Sequence, residues 1–170
     1  RPINLALPRI SHTKDSIFMK RSFTIALAGA FLILGPSASS KEKEEESRST
    51  ESMAAFVLKR LSERETAAFK RYEGALATED IRSIEAELQS IVDGYEKLIN
   101  AAEEYSAAYI SFGMFLHRIG ERIASNAMLI KADELDPFHA IVKNQLGNYQ
   151  AEESKYAEAL AFYQMAIDLA

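Results

Sequence analysis

The sequence contains no cysteine and no tryptophan, and it has only four prolines and seven glycines in 170 residues. Without cysteine the chain forms no disulfide, no thiolate zinc site and no thiol nucleophile, and it suits any redox compartment. The scarcity of proline and glycine and the abundance of Ala, Glu, Leu and Ile favour helices. The formal net charge of −5 also excludes the strongly basic surface that is typical of nucleic-acid binding.

Residue patterns of known catalytic chemistry are missing as well. None of the three histidines, His12, His117 and His139, has the companion four residues away that a metalloprotease helix requires. The chain has no phosphate-binding glycine-rich loop and no nucleophile elbow. We therefore predict that the protein is not an enzyme and has no catalytic residue, no metal ligand and no cofactor.

The first forty residues contain a pattern that is typical of an export signal. A basic segment begins at Met19, residues 23–35 form an apolar run, and small residues follow. This order predicts a secretory signal peptide over residues 19–39, with cleavage before Ser40. As a helix the apolar run would reach about 20 Å, less than the ~30 Å hydrocarbon core of a bilayer. The alternative is an uncleaved signal that anchors the protein in the inner membrane.

Two further segments flank this signal. Residues 1–18 show no clear periodicity, and we interpret them as a spurious or disordered upstream extension. Removal of residues 1–39 takes away five bases and one acid, so that the remainder carries a net charge of −9. Residues 40–51 contain three bases, five acids and no apolar side chain. Because such a segment has nothing to bury, we predict a solvated charged linker.

The segment 52–102 has helical periodicity. Between Ile81 and Leu98 the apolar residues recur at steps of 3, 4, 3, 4 and 3, which predicts an amphipathic helix. A second helical face, interrupted by Glu65, precedes it. Together they predict an antiparallel helix pair, and a short two-stranded coiled coil is the alternative.

The segment 103–170 contains a pattern of residue types that recurs at a constant interval of about 34 residues. A period of this size indicates repeated helix pairs that stack on one another. Small residues recur where two helices approach closely, and large residues fill the space between successive pairs. The repeated positions are Phe112-Gly113 with Leu146-Gly147, Ser125 with Ala159, Leu129 with Tyr163, Ala132 with Ala166 and Leu135 with Leu169.

These positions resemble the tetratricopeptide repeat (TPR), with a first unit at about 106–139 and a second at 140–170. Lys143 departs from the family pattern, which has a large aromatic residue there, and Ser154 replaces a glycine. The resemblance implies an all-α fold of antiparallel helix pairs stacked as an α-solenoid, with a disordered or signal-helix N-terminus. Whether the pair at 52–102 is a degenerate unit of the same kind is left open.

In the resembled family the first helices of successive units line a concave groove that binds peptides. Two asparagines of the second unit, Asn144 and Asn148, would then face the backbone of an extended peptide. Ile110 and Met114 stand where some members carry basic residues for a C-terminal carboxylate, which disfavours a chaperone-tail receptor. The alternative is that these are simply exposed positions of a short array. The candidate groove residues are Ala107, Ile110, Met114, His117, Arg118, Ile141, Asn144, Asn148, Ala151 and Glu152.

The sequence thus predicts an exported, non-catalytic scaffold, periplasmic or secreted, that binds a protein or peptide partner in the bacterial envelope. It predicts no nucleic-acid partner and no stable membrane span after signal cleavage. One alternative is the accessory repeat region of a larger envelope enzyme whose catalytic domain lies beyond residue 170. Another is a self-assembling helical structural protein, a homo-oligomer that uses the pair at 52–102. We also expect truncation at the C-terminus, with Phe162, Tyr163 and Ile167 partly uncovered.

Overall fold

The structure, a computed structural model, describes residues 40–75 and 78–170. All secondary structure in these two ranges is helical, so the predicted all-α class is confirmed for them. The predicted upstream extension at 1–18 and the predicted signal peptide at 19–39 lie outside the described residues. The helices are α1 (Ser40–Glu73), α2 (Thr78–Ala101), α3 (Ser106–Arg118), α4 (Arg122–Leu135), α5 (Ala140–Glu152) and α6 (Tyr156–Asp168).

The six helices of the described ranges pack mainly as consecutive pairs. Within each pair, α1 packs on α2, α3 on α4, and α5 on α6. The pairs are joined because α4 contacts α5, and because both α1 and α2 contact α3. As a result α3 is the most enclosed of the short helices, and it contributes four side chains that are at most 1% exposed, Ala108, Phe112, Phe115 and Leu116.

Helix α1 begins earlier than the composition predicts. The charged segment 40–51, expected as a linker, is helical throughout. Its Glu, Lys and Arg residues have high helix propensity, which favours a helical backbone. The side chains of residues 48–53 are exposed, and Ala54, which is 3% exposed, is the first buried residue after them. Residues 40–51 and the residues that follow therefore belong to one helix.

The α3–α4 pair depends on a close approach at Gly113. A Cβ atom built on Gly113 would lie 2.9 Å from Leu129 Cγ and 3.3 Å from the Ser125 carbonyl oxygen. Ser125 also fixes the crossing, because its hydroxyl donates a hydrogen bond of 2.8 Å to the Gly113 carbonyl. A Cβ atom at this position would therefore force Leu129 and the facing backbone to shift.

The α5–α6 pair repeats this crossing at the equivalent position of the second unit. A Cβ atom on Gly147 would lie 2.7 Å from Tyr163 Cε1 and 3.3 Å from the Ala159 carbonyl oxygen. These two partners are the counterparts of the α4 residues that face Gly113. The serine hydroxyl of the first crossing has no equivalent, since alanine replaces it. The backbone approach is therefore preserved while the hydrogen bond is not.

The turn that ends α3 is a Schellman motif. Gly120 has a φ of 89°, in the left-handed region that glycine adopts without steric cost. The amide of Glu121 donates to the Leu116 carbonyl at 2.9 Å, and the amide of Gly120 donates to the His117 carbonyl at 3.1 Å. These two bonds satisfy carbonyls that the helix end leaves unpaired.

The turn that ends α5 has the same two bonds at equivalent positions, but without glycine. Lys155 N donates to Gln150 O at 2.9 Å, and Ser154 N donates to Ala151 O at 3.0 Å. Ser154 has a φ of 61°, which is unfavourable for a residue with a Cβ atom. The packing of α5 on α6 therefore holds this serine in a strained conformation.

We predict that alanine at the first crossing destabilises the protein. In an ordinary helix Gly→Ala stabilises by about 0.5–1 kcal/mol, but Gly113→Ala should lower the free energy of unfolding by about 1–3 kcal/mol because of overpacking. Gly147→Ala should cost less, since Tyr163 is half-exposed and its ring can move. Chemical denaturation measures both, and Gly74→Ala is the control because its nearest atom, Arg71 O, is 3.9 Å away. Unchanged stability in Gly113→Ala would contradict the close crossing.

A second prediction concerns the strained turn. Ser154→Gly should raise the free energy of unfolding by about 0.5–1 kcal/mol, because glycine removes the left-handed strain. Ser154→Ala should bring no gain, since alanine keeps the Cβ atom. Thermal and chemical denaturation check both variants. Equal stability of the glycine and alanine variants would show that the backbone at this turn is not strained.

Candidate functional site

The candidate groove residues of α3 follow one face of that helix. Ala107, Ile110 and Met114 are half-buried, and His117 and Arg118 at the end of α3 are exposed. Ile110 packs against the hydrophobic core, so its side chain is available only in part. The first part of this face is therefore an apolar strip, and its last turn is basic.

The candidate residues of α5 form a more polar face. Ile141 is 53% exposed, Asn144 and Glu152 are exposed, and Asn148 and Ala151 are half-buried. These positions are the counterparts of the α3 set in the second unit. Apolar side chains at the middle of the α3 face are thus replaced by amides on α5.

Three of the ten candidates meet in one cleft between α3, α4 and α5. They are His117 from α3 and Asn148 and Glu152 from α5. The interior volume of the cleft is about 10 Å³, which is room for about one water molecule. It is therefore a seam between helix pairs and not a small-molecule pocket. The other lining residues are Arg122, Ser125, Leu129, Gln145 and Tyr149.

Glu152 is engaged by a residue that sequence reasoning missed. The Arg122 guanidinium lies 2.6 Å from the Glu152 carboxylate and 3.7 Å from that of Glu153. All three side chains are more than 40% exposed, so the pair contributes about 0–1 kcal/mol of stability. Its effect is on charge, because it neutralises part of the acidic end of the candidate groove.

The two asparagines on α5 differ in what they can offer a ligand. The Tyr163 hydroxyl donates a hydrogen bond of 2.9 Å to Asn148 Oδ1, and Asn148 Nδ2 lies 3.5 Å from Gln145 Oε1. Asn148 is therefore oriented by the protein itself. Asn144 is exposed, and within residues 78–170 no hydrogen bond or ion pair involves its side chain. Of the two, Asn144 is the amide that remains available.

Arg118 is held by the first helix. Its guanidinium carbon lies 3.7 Å from the centroid of the Phe69 ring, a cation–π contact. Phe69 belongs to α1, so α1 borders the α3 end of the candidate groove. No residue pattern predicts this contact, because the two residues lie on helices that are far apart in the chain.

Lys143, which departs from the repeat pattern, lies inside the protein and outside the groove. It is 8% exposed, and its Nζ lies 2.6 Å from Asp133 Oδ1 on α4. Its counterpart in the first unit is Tyr109, which is also buried. The lysine stem fills the space of the aromatic ring, and the ammonium group is paired, as burial of a charge requires.

A buried polar contact joins α1 to α2. Tyr95 is fully buried, Glu65 is 9% exposed, and the Tyr95 hydroxyl donates a hydrogen bond to the Glu65 carboxylate. The Tyr95 ring stacks on Phe112 of α3 with a centroid distance of 5.0 Å and an angle of 7°. One tyrosine thus connects three helices, and the glutamate that interrupts the apolar pattern is its hydrogen-bond partner.

Burial raises the pKa of Glu65, and this effect outweighs the Tyr95 hydrogen bond and the charge of Arg118, which both lower that pKa. Burial also raises the pKa of Tyr95, with the Glu65 hydrogen bond and charge acting in the same direction. The folded protein therefore holds the Glu65 proton more tightly than the unfolded chain does. Stability from this group is full below the unfolded pKa of 4.5 and is lost as pH rises through the folded value.

We predict that Glu65→Gln reduces this pH dependence. Glutamine keeps an acceptor for Tyr95 and removes the buried charge, so the loss of stability as pH rises above 4.5 should be smaller. Tyr95→Phe should have the opposite effect, with a cost of about 1–3 kcal/mol at neutral pH, because the carboxylate loses its donor. Denaturation at a series of pH values measures these slopes. The control is Glu63→Gln at an exposed position of α1, and a slope equal to that control would contradict the assignment.

Several residues of the site could not be identified from sequence alone. Arg122 follows the turn after α3, and Gln145 and Tyr149 share the cleft with the candidates. Tyr149 is one turn before the chosen position 152, so helical spacing could have suggested it. Arg122 has no such signal, because its partners belong to the next helix pair.

The described residues contain no metal cluster and no membrane-spanning helix. In residues 40–75 and 78–170, no group of three or more His, Asp or Glu side chains could hold a metal ion. Over the same ranges, no helix combines the length and apolarity needed to cross a membrane. No protein-family model matches the chain, and no curated protein matches it. The class of protein must therefore be inferred from the contacts that recur between the helix pairs.

Proposed function

We propose that the protein is an interaction scaffold made of TPR-like repeats that stack as an α-solenoid and bind an extended peptide. The observation that carries this proposal is the recurrence of one crossing and one turn at equivalent positions of the two units. Gly113 and Gly147 face equivalent partners, and Gly120 and Ser154 have equivalent hydrogen bonds. Stacked units of this kind present a continuous surface to a partner.

The α1–α2 pair supports the proposal as an end unit of a different kind. In this pair the glycine of the close approach, Gly94, lies on the second helix and not on the first. A Cβ atom built on Gly94 would lie 2.6 Å from Leu61 Cδ2 on the first helix. The outer side of α1 exposes charged residues such as Lys59 and Arg60 together with Phe56, which is 60% exposed. It is therefore only in part the polar face that a terminal unit of a solenoid needs.

The proposed binding surface combines an apolar strip with an available amide. Ala107, Ile110 and Met114 on α3 would bury apolar side chains of the ligand, and Asn144 on α5 would hydrogen-bond its backbone. The favoured ligand is therefore an extended peptide with apolar side chains. The proposed surface selects only weakly for the charge of the peptide, because Arg118 and Glu152 already have partners within the protein.

The proposed location is the periplasm or the exterior of a bacterial cell. This part of the proposal is supported by the basic, apolar and small-residue order of residues 19–39. A scaffold in that compartment would assemble envelope proteins by holding peptide segments of a partner.

The fourth prediction tests the groove with a defined probe. Peptides selected from a phage-displayed random library by the full chain are synthesised, and their affinities are measured by fluorescence anisotropy. Asn144→Ala should weaken binding roughly 2- to 10-fold, the value of one hydrogen bond. Asn100→Ala, an exposed asparagine on α2, is the matched control and should leave binding unchanged. We avoid Asn148→Ala because it also removes the bond from Tyr163.

Two outcomes would count against the proposed function. If selection yields no peptide that binds in solution, the scaffold does not recognise isolated extended peptides. If Asn144→Ala and Asn100→Ala bind the selected peptides equally well, recognition takes place elsewhere on the protein. Circular dichroism of both variants confirms that the comparison is between folded proteins.

A further inference from the structure

Helices α4 and α5 belong to different pairs, and one end of the contact between them is held tightly. We call this contact the α4–α5 seam. Residues 136–139 connect the two helices, and within this turn the Phe138 amide donates a hydrogen bond of 3.2 Å to Asp136 Oδ1. Beside the turn the Lys143 ammonium group lies 2.6 Å from Asp133 Oδ1, and the Lys143 side chain is 10% exposed. A covalent link and a buried ion pair therefore join the helices at this end.

The opposite end of the seam is held by exposed charges. The Arg122 guanidinium lies 2.6 Å from the Glu152 carboxylate and 3.7 Å from that of Glu153, and all three side chains are more than 40% exposed. No turn connects the helices at this end, because α4 begins here and α5 ends here. The water-sized cleft lies at the same end, since Arg122 and Glu152 line it.

The side chains of α5 change in the same direction along the helix. Val142 and Leu146, in its first half, are at most 3% exposed and belong to the hydrophobic core. Asn148, Tyr149 and Glu152, in its second half, line the cleft, and none of the three is buried. Apolar packing therefore holds the first half of α5, and polar contacts hold the second.

The exposed charges of the seam do not stabilise their own helices. Arg122 is the first residue of α4, and Glu152 is the last residue of α5. The helix macrodipole disfavours a cation at a helix N-terminus and an anion at a helix C-terminus. Each of these charges is favourable only to the neighbouring helix, whose opposite end lies beside it. The ion pair therefore stabilises the docking of α5 on α4 and not the helices themselves.

We propose that the α4–α5 seam is a salt-sensitive hinge, with Arg122 as its latch and with the turn and the buried ion pair as its pivot. The Debye length falls from about 10 Å at 0.1 M salt to about 3 Å at 1 M, and exposed charges are screened much more than buried ones. High ionic strength therefore weakens the Arg122 contacts and leaves the pivot closed. The α5–α6 pair moves as one body, because the close crossing at Gly147 joins its two helices.

Opening of the hinge changes the spacing of the candidate groove. Lys143 and Glu152 are nine positions apart, which corresponds to about 14 Å along α5. A rotation of about 15°, the size of a known subunit rotation, would move the Glu152 end by about 4 Å. Asn148 would then lie further from His117, and the cleft would be wider. The hinge itself does not require a ligand, and only its effect on peptide binding rests on the proposed function.

Distances between spin labels test the hinge without any ligand. Because the chain has no cysteine, Ile123→Cys with Tyr156→Cys labels the latch end, and Ile130→Cys with Ile141→Cys labels the pivot end. All four positions are exposed. When KCl rises from about 0.1 M to about 1 M, the latch-end distance should increase by about 4 Å and the pivot-end distance should stay constant. Sucrose at the same osmolality does not screen charge and should change neither distance.

Three variants in the latch-end labelled protein identify the residue responsible. Arg122→Gln removes the latch charge, so it should show the longer distance at low salt and no further response. Arg122→Lys keeps the charge and should keep the salt response. Arg82→Gln, at an exposed position of α2, is the matched control and should behave as the wild type does. A latch-end distance that does not respond to salt, an equal increase at both ends, or a short distance in Arg122→Gln at low salt would overturn the proposal.

Discussion

The close approach of paired helices at Gly113 and Gly147 is the constraint on which the repeat depends. At each crossing a carbonyl of the facing helix lies 3.3 Å from where a Cβ atom would be, so the backbones themselves are in contact. This close approach brings the two helices of each pair together at the glycine. The turns that follow need a left-handed residue to reverse the chain within a few residues. The crossing and the turn both depend on backbone geometry. They therefore recur while the side chains around them change.

The first helix pair is joined to the repeats by a different means. Tyr95 stacks on Phe112 and Phe115, and its hydroxyl satisfies the buried carboxylate of Glu65. Two apolar side chains at positions 65 and 95 could pack in several orientations. A buried hydrogen bond is stable only within a narrow range of distances and angles. Arg118 on Phe69 adds a second oriented contact at the same junction. These contacts therefore specify one orientation of the first helix pair against α3. Their cost is the burial of the Glu65 carboxylate, which is unfavourable.

Sequence reasoning succeeds where structure follows from local signals. The all-α class follows from helical spacing and from the scarcity of proline and glycine. The ends of α3 and α4 at Arg118 and Leu135 lie next to two local signals, a glycine at position 120 and a proline at position 137, since glycine favours a helix end and proline cannot continue a helix. The start of α1 is missed, because a charged segment without apolar side chains is expected to be a solvated linker, whereas its residues have high helix propensity and the segment is helical. The contacts of Arg118 and Arg122 could not be predicted from the sequence. Each contact joins two helices from different pairs, and the residue pattern does not determine how those helices are placed relative to each other.

The α3–α4 and α5–α6 pairs share the glycine crossing and the turn hydrogen bonds, and they differ in polarity. Tyr109 is replaced by Lys143, Leu129 by Tyr163, and an apolar Met on α3 by Asn148 on α5. In the first unit Tyr109 and Leu129 are buried in the core and Met114 is half-buried, while in the second unit the three positions form hydrogen bonds and an ion pair with defined directions. The second unit is thus the more polar of the two, and its polar groups are oriented by contacts within the protein.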